Sequence, residues 1–425
     1  MIVREVVNDG LRLITESMPH VRSISIGLWL TRGSRHEGPS QSGISHFIEH
    51  MLFKGSTSRS AQEIAQAIDS IGGQLDAFTA KEYAGYYVKV LDANLPEALD
   101  ILSDLVLRPA FREEDIEREK KVVLEEIKMV EDTPDDLVYE LFTQQFWKGH
   151  ALGRPILGVP DSVSAFTADE LRGFFEQAYV APNVVISAAG NLDHPQLRSL
   201  VETAFADLPA TGPPVSWVRP DMAPKLDIRN KELEQSHICL GTAAYQQDHP
   251  DRYVSYLLNT IFGGSMSSRL FQHIREERGL AYAVSSGQHV YRDGGALIVY
   301  AGCATNSVAQ VLDLVVDEMR GLAETAVPAE ELQRAKDHLK GSLMLSLENT
   351  SSRMSQLARQ ELFFGEQVGL DEILESIDCV TTEDVQRVAQ DLLADGPRVV
   401  TVLGPSAGLD LSAERLGIGL ANVVK

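Results

Sequence analysis

Apolar and polar positions alternate over Val3–Val7 and Leu11–Thr15, and apolar residues run almost unbroken from Ser23 to Leu30. This pattern predicts three strands, and Asn8-Asp9-Gly10 has the chemistry of a hairpin turn between the first two. After a loop over Thr31–Ser42 the period becomes helical from Gly43 to Gly55. Ser60 is placed to cap a second helix, Ala61–Ile71, which Gly72-Gly73 breaks. Two strands over 74–90 follow, with a turn near Lys81. Helices are then predicted over Leu95–Leu107 and Glu113–Glu131. The second of these has an apolar stripe of Ile116, Val123, Ile127 and Val130. A further helical stretch covers 132–149, and a loop spans Lys148–Gly158. Helix Thr167–Ala178, strand Asn183–Ala189 and helix His194–Phe205 complete the first half.

Pro209, Pro213, Pro214, Pro220 and Pro224 mark a linker. Beyond it the plan recurs, with Gly241 onward mirroring Gly27 onward. Leu52-Phe-Lys-Gly-Ser56 aligns with Ile261-Phe-Gly-Gly-Ser265, and helices over Ser307–Thr325 and Ala329–Leu347 and strands over Ala296–Ala301 and Arg398–Leu403 follow. The expected fold class is α+β. Two homologous α/β domains, each a mainly antiparallel sheet with helices on one face, are related as an internal repeat. Their expected spans are 1–208 and 227–425, joined by a linker over 209–226.

Composition adds limits. A chain of 425 residues exceeds one ordinary core, which agrees with two domains. Three scattered cysteines indicate neither a disulfide framework nor a cysteine metal site. A net charge of −23 argues against nucleic acid as a partner, because phosphate binding needs a basic face. The same charge has two readings, solubility or an acidic interior that draws in basic peptides. No stretch has the apolar length of a membrane span, and the N-terminus lacks an apolar signal core, so a cytoplasmic, bacterial-type protein is expected.

The predicted helix from Gly43 carries His46, Glu49 and His50. Residues four apart on a helix share a face, so the two imidazoles can take two corners of a tetrahedral zinc site. Glu49 points to the same side and can reach a zinc-bound water without being a ligand. The order H-x-x-E-H is the inverzincin signature. The plainer reading is a helix whose histidines pack among Phe47, Ile48, Met51 and Leu52. On the helix Glu113–Glu131, Glu119 and Glu126 lie two turns apart and flank the buried stripe. They are either exposed glutamates among many or, given the motif upstream, a third ligand in Glu126 and an acid in Glu119 that orients a ligand. In the second half, His46, Glu49 and His50 align with Ser255, Leu258 and Asn259, which cannot rebuild the site. The glycine-rich start of 262–284 lacks the lysine of a phosphate loop. Arg275 and Tyr282 read on their own as a surface cation and a partly buried strand aromatic.

Taken together these residues resemble the pitrilysin/insulysin family of inverzincin peptidases. The resemblance is to its half-length branch, which includes the catalytic subunit of mitochondrial processing peptidase and bacterial relatives, and it covers nearly the whole chain. It implies one Zn²⁺ per chain on His46, His50 and Glu126, with Glu119 behind them and Glu49 as general base. It implies that Asp76, Ala77, Phe78 and Thr79 lie on the edge strand that takes an extended peptide. It also implies a half-clamshell in a homodimer, or in a heterodimer with a homologous subunit, where Arg275 and Tyr282 reach the partner's zinc site. The expected activity is zinc-dependent endopeptidase action on peptides or unfolded segments. The alternative is a non-catalytic core subunit of the same family.

Overall fold

The computed structural model describes residues 2–214, 217–394, 396–409, 411–414, 416 and 418. Eleven strands are described: β1 Ile2–Val7, β2 Leu11–Ser17, β3 Ser23–Leu30, β4 Gln74–Thr79, β5 Ala84–Leu91, β6 Val184–Gly190, β7 Lys225–Asn230, β8 Ser236–Ala244, β9 Ala281–Tyr291, β10 Gly294–Cys303 and β11 Val399–Gly404. The helices of the first half are α1 Ile44–Leu52, α2 Ala61–Ser70, α3 Leu95–Leu107, α4 Glu113–Asp132, α5 Pro134–Phe146, α6 Pro160–Ala165, α7 Ala168–Ala178 and α8 His194–Ala204. Those of the second half are α9 Arg252–Phe262, α10 Val308–Glu324, α11 Ala329–Ser346, α12 Thr350–Phe363, α13 Leu370–Asp378 and α14 Thr382–Leu393. The last three have no counterpart in the sequence reading.

Two compact units result. One comprises Met1–Met129, Arg154–Trp217 and Met344–Gln367; the other comprises Val130–Gly153, Val218–Leu343 and Val368–Lys425. The first unit holds a six-stranded sheet in the order β1-β2-β6-β3-β5-β4. β2 and β6 run parallel and every other pair is antiparallel. The second unit holds a five-stranded sheet in the order β7-β11-β8-β10-β9, again with one parallel pair, β7 and β11. Strand for strand this repeats β2-β6-β3-β5-β4, so the internal repeat is present in the topology.

In each unit one sheet face carries most of the helices and the larger core. In the first unit Leu13, Ile26, Leu28, Tyr86 and Val88 pack there with Phe47, Met51, Leu99 and Leu102. Among the described residues the other face carries one α-helix from across the linker. In the first unit α12 lays Met354, Leu357, Ala358 and Leu362 on Ile14, Trp29, Val185 and Ala189. In the second unit α5 lays Val138, Phe142 and Phe146 on Cys239, Ile298 and Val399. The contiguous spans 1–208 and 227–425 are therefore revised: each unit takes one helix from the other half of the sequence. The physical reason is that a sheet apolar on both faces must cover both.

The glycine pair that aligned the two halves lies under the covering helix in each unit. A Cβ on Gly27 would stand 3.2 Å from Met354 Sδ of α12, and one on Gly241 would stand 2.5 Å from Phe142 Cζ of α5. Gly241 lets α5 lie close against β8, whereas a Cβ on Gly27 would meet Tyr87 Cβ at 3.0 Å and Trp29 Nε1 at 3.1 Å of its own sheet before it met α12.

Candidate metal centre

Helix α1 is apolar on the face it buries through Ile44, Phe47, Ile48, Met51 and Leu52, so its other face presents His46, Glu49 and His50. Its first turn is held by a buried carboxylate outside the helix. Glu37 Oε2 accepts from Gly43 N at 2.8 Å, and Glu37 Oε1 accepts from Ser45 N at 2.9 Å. These are N–H groups that the helix itself leaves unbonded. Sequence reasoning missed Glu37, because a cap from six residues before Gly43 has no fixed spacing.

Helix α4 brings the second group of residues. Burial of Ile116, Val123 and Ile127 turns Glu119 and Glu126 toward α1. The two imidazole centroids are 4.5 Å apart. Glu126 Oε2 stands 3.8 Å from His46 Nε2 and 3.6 Å from His50 Nε2. One ligand atom from each of the three residues falls within 4.8 Å of the others. A tetrahedral zinc with bonds of about 2.0–2.1 Å separates its ligands by about 3.3 Å, so the triangle is of the right size. Glu126 Oε2 is buried and accepts no hydrogen bond among the described residues. A buried acceptor left open beside two imidazole nitrogens is what a cation would satisfy. The donor set fits zinc.

His50 is held from behind. Its Nδ1 lies 2.8 Å from Glu119 Oε1, and Lys54 Nζ lies 2.8 Å from Glu119 Oε2. A His that gives its Nδ1–H to a carboxylate presents Nε2 for coordination. Lys54 was missed in the sequence reading. Four residues after His50, on the same side of the helix end, it had the spacing that could have found it. His46 Nδ1, by contrast, is buried with no partner among the described residues.

The electrostatics follow from burial and neighbouring charge. Burial, reinforced by the neighbouring His50, pushes His46 down to about 3, against the pull of Glu119, so His46 is a neutral imidazole at ordinary pH. Burial also works against a charged His50. The Glu119 hydrogen bond and the charges of Glu126, Glu119 and Glu49 outweigh it and raise His50. Burial raises Glu49, with Asp76 and Glu126 adding to the effect and the Thr79 hydrogen bond and His50 opposing it. Glu119 is held below its usual range, because the hydrogen bonds from His50 and Lys54 and their charges outweigh its burial.

Glu49 accepts a hydrogen bond from Thr79 Oγ1. Thr79 closes β4, which carries Asp76, Ala77 and Phe78 and forms the edge of its sheet, paired among the described residues with β5 alone. Leu75 and Ala77 face the core shared with α1, whereas Phe78 packs against Trp29 and Tyr83 on the opposite face. Asp76 is exposed and takes hydrogen bonds from Ala77 N at 2.8 Å and the Tyr87 hydroxyl at 3.1 Å.

Arg275 and Tyr282 belong to the second unit. Arg275 lies in a π-helical turn, Phe271–Glu276, with its guanidinium carbon 4.7 Å from the Phe271 ring centroid and 5.5 Å from that of Tyr282. Tyr282 is 78% exposed on β9, the edge of its sheet, which corrects the reading of it as partly buried. In α9, at the positions aligned with the motif, Ser255 and Asn259 bond the second sheet instead: Gln288 Nε2 donates to Ser255 Oγ at 2.7 Å and Ser286 Oγ to Asn259 Oδ1 at 2.8 Å. Leu258 is buried in the core.

The chain is similar to known proteins along nearly its whole length. The family described as Insulinase (Peptidase family M16) matches residues 12–159, and the Peptidase M16 inactive domain matches 165–339. The chain is 42% identical to the uncharacterized zinc protease YmxG of Bacillus subtilis, over 96% of this chain and 100% of that one. It is 41% identical to an uncharacterized zinc protease of Streptomyces coelicolor, over 97% of this chain and 91% of that one. Its fold is that of an M16 inactive-domain protein from Pseudomonas fluorescens, with a TM-score of 0.91 at 21% identity over 96% of this chain and 99% of that one. A protease from Helicobacter pylori has the same fold, with a TM-score of 0.89 at 21% identity over 95% and 100%.

Proposed function

Because this chain belongs to the insulinase family of metallopeptidases, family M16, we propose that it is a zinc-dependent endopeptidase acting on extended peptides or unfolded segments. The observation that carries the reading is the meeting of His46, His50 and Glu126 beside Glu49. These three residues would hold one zinc ion per chain, whose Lewis acidity lowers the pKa of a bound water toward about 7.

The chain's own residues have the remaining work. Glu49 accepts the proton of the attacking water and returns it to the leaving amine as the peptide C–N bond breaks. Glu119, with Lys54 behind it, keeps His50 in the tautomer that presents Nε2. The open edge of β4, including 76–79, offers backbone groups to an incoming strand largely independently of its side chains. Arg275 and Tyr282 would hold the substrate backbone and the developing oxyanion at the site of a second copy of this chain, in a dimeric chamber. A net charge of −23 favours basic peptides. Among the described residues no helix is long and apolar enough to cross a membrane.

The rival reading is a non-catalytic core subunit. The family match named for an inactive domain covers 165–339, which contains none of the three candidate ligands, so it does not bear on the site. Metal analysis separates the two readings: one tightly bound zinc per chain, against none. Digestion of a diverse peptide mixture with and without chelator, read by mass spectrometry, tests the activity. Glu49→Gln should keep the zinc and lose about 10²-fold or more in kcat; turnover at the wild-type rate would remove Glu49 from its role.

A further inference from the structure

One contact of the candidate site is used neither by the metal nor by a peptide backbone: the hydroxyl of Thr79 on the carboxylate of Glu49. Thr79 Oγ1 donates to Glu49 Oε2, and Oε1 accepts no hydrogen bond among the described residues. The terminal torsion of a glutamate is broad, so α1 alone does not aim this carboxylate. The threonine end is far better held. Its β-branch restricts χ1. Its backbone pairs with Ala84, and the next residue closes the turn through Ala80 N to Tyr83 O at 2.8 Å.

The turn is itself clamped. Ser34 N donates to Ala80 O at 3.1 Å and Arg35 N to Lys81 O at 2.8 Å. Arg35 and Glu82 form a buried ion pair at 2.5 Å. Breaking one partner of such a pair leaves an uncompensated buried charge, so the hairpin resists displacement.

We propose that Thr79 is a positioning residue for the general base: its hydroxyl holds Oε2 of Glu49 and leaves Oε1 to face the attacking water. The strand end that adjoins the peptide-binding edge thereby also aims the base. This inference rests on the reading of Glu49 as general base and adds to it a role for a side chain assigned so far only a place on the edge strand.

Thr79→Val keeps shape and branching and removes the hydroxyl, whereas Thr79→Ser keeps the hydroxyl. Thr79→Val should lower kcat about 10- to 100-fold, since misaimed groups cost that much, with KM within about threefold of wild type. Zinc content and Tm should match wild type, and Thr79→Ser should recover most of kcat. A second readout needs no turnover. In a Glu49→Gln background, binding of a fluorescent peptide by anisotropy should be the same with and without Thr79→Val.

A wild-type kcat in Thr79→Val overturns the inference. So does a loss that appears equally in peptide binding, or a Thr79→Ser variant as impaired as Thr79→Val. If valine lowers Tm, Thr79→Ala takes its place and must give the same separation of kcat from KM. A wild-type protein with no chelator-sensitive hydrolysis overturns the general-base reading and this inference together. An active wild type indifferent to Thr79→Val overturns this inference alone.

Discussion

Glu119 Oε1 lies 2.8 Å from Nδ1 of His50, and the same carboxylate takes Lys54 Nζ at 2.8 Å on its other oxygen. In the proposed zinc-bound state this contact would leave Nε2 of His50 for the metal, and the hydrogen bonds from His50 and Lys54 hold Glu119 below its usual range. Glu119→Gln should therefore weaken zinc binding about 10- to 100-fold while leaving the three candidate ligands in place. Competition against a chelator of known affinity reads this directly, and wild-type affinity in the variant would remove Glu119 from the site.

Glu126 is the one candidate ligand that does not come from α1, and its Oε2 has no hydrogen-bond partner among the described residues. Glu126→Gln removes the negative charge and half of the acceptor capacity. Zinc recovered with the purified protein should fall from about one per chain to below about a tenth. Tm of the metal-free protein should change little, because the charge that favours a protonated His50 is lost together with a buried acceptor that has no hydrogen-bond partner among the described residues. Metal analysis and thermal unfolding in chelator check the two halves of this expectation.

Burial pushes the Glu37 carboxyl up to about 7 from 4.5, against the hydrogen bonds of Ser45 and Gly43 and the charge of Arg154. A carboxyl raised in the folded state binds its proton more tightly there than in the unfolded chain. Its contribution to stability is full below pH 4.5 and is lost as pH rises to about 7. At 1.36 kcal/mol per pH decade the loss is on the order of 3 kcal/mol. Glu37→Gln does not titrate, so wild type should lose about that much stability relative to the variant between pH 4.5 and 7.5. Urea unfolding in chelator at both pH values measures the difference.

A methyl group on Gly241 would meet the Phe142 ring at 2.5 Å. Gly241→Ala should destabilise the protein by about 1–3 kcal/mol through overpacking. Phe142→Ala alone should cost about 3–5 kcal/mol. The double variant should cost less than the two together, because the alanine methyl then enters space the ring has left. A denaturation cycle with additive costs would contradict the packing of α5 on β8.

Much of the candidate site was legible because its parts are local. His46, Glu49 and His50 share a helix face by periodicity alone, and Glu119 and Glu126 share another two turns apart. The repeat was legible through its matching glycines. Other features left no local trace. α12 and α5 are amphipathic, but an apolar stripe does not say which sheet it will cover. Glu37 caps α1 from a loop with no fixed spacing, and the Thr79 hydroxyl reaches Glu49 only because a hairpin folds back on a helix.

The sequence by itself determined which side chains are chemically able to hold a cation and on which helical faces they stand, because a helix sets those positions within a few residues. The tertiary structure alone decided that α4 brings Glu126 against both imidazoles, that Thr79 meets Glu49, and that each sheet is covered by a helix from beyond the linker. Such contacts depend on which apolar faces bury one another most completely, a property of the whole packed chain.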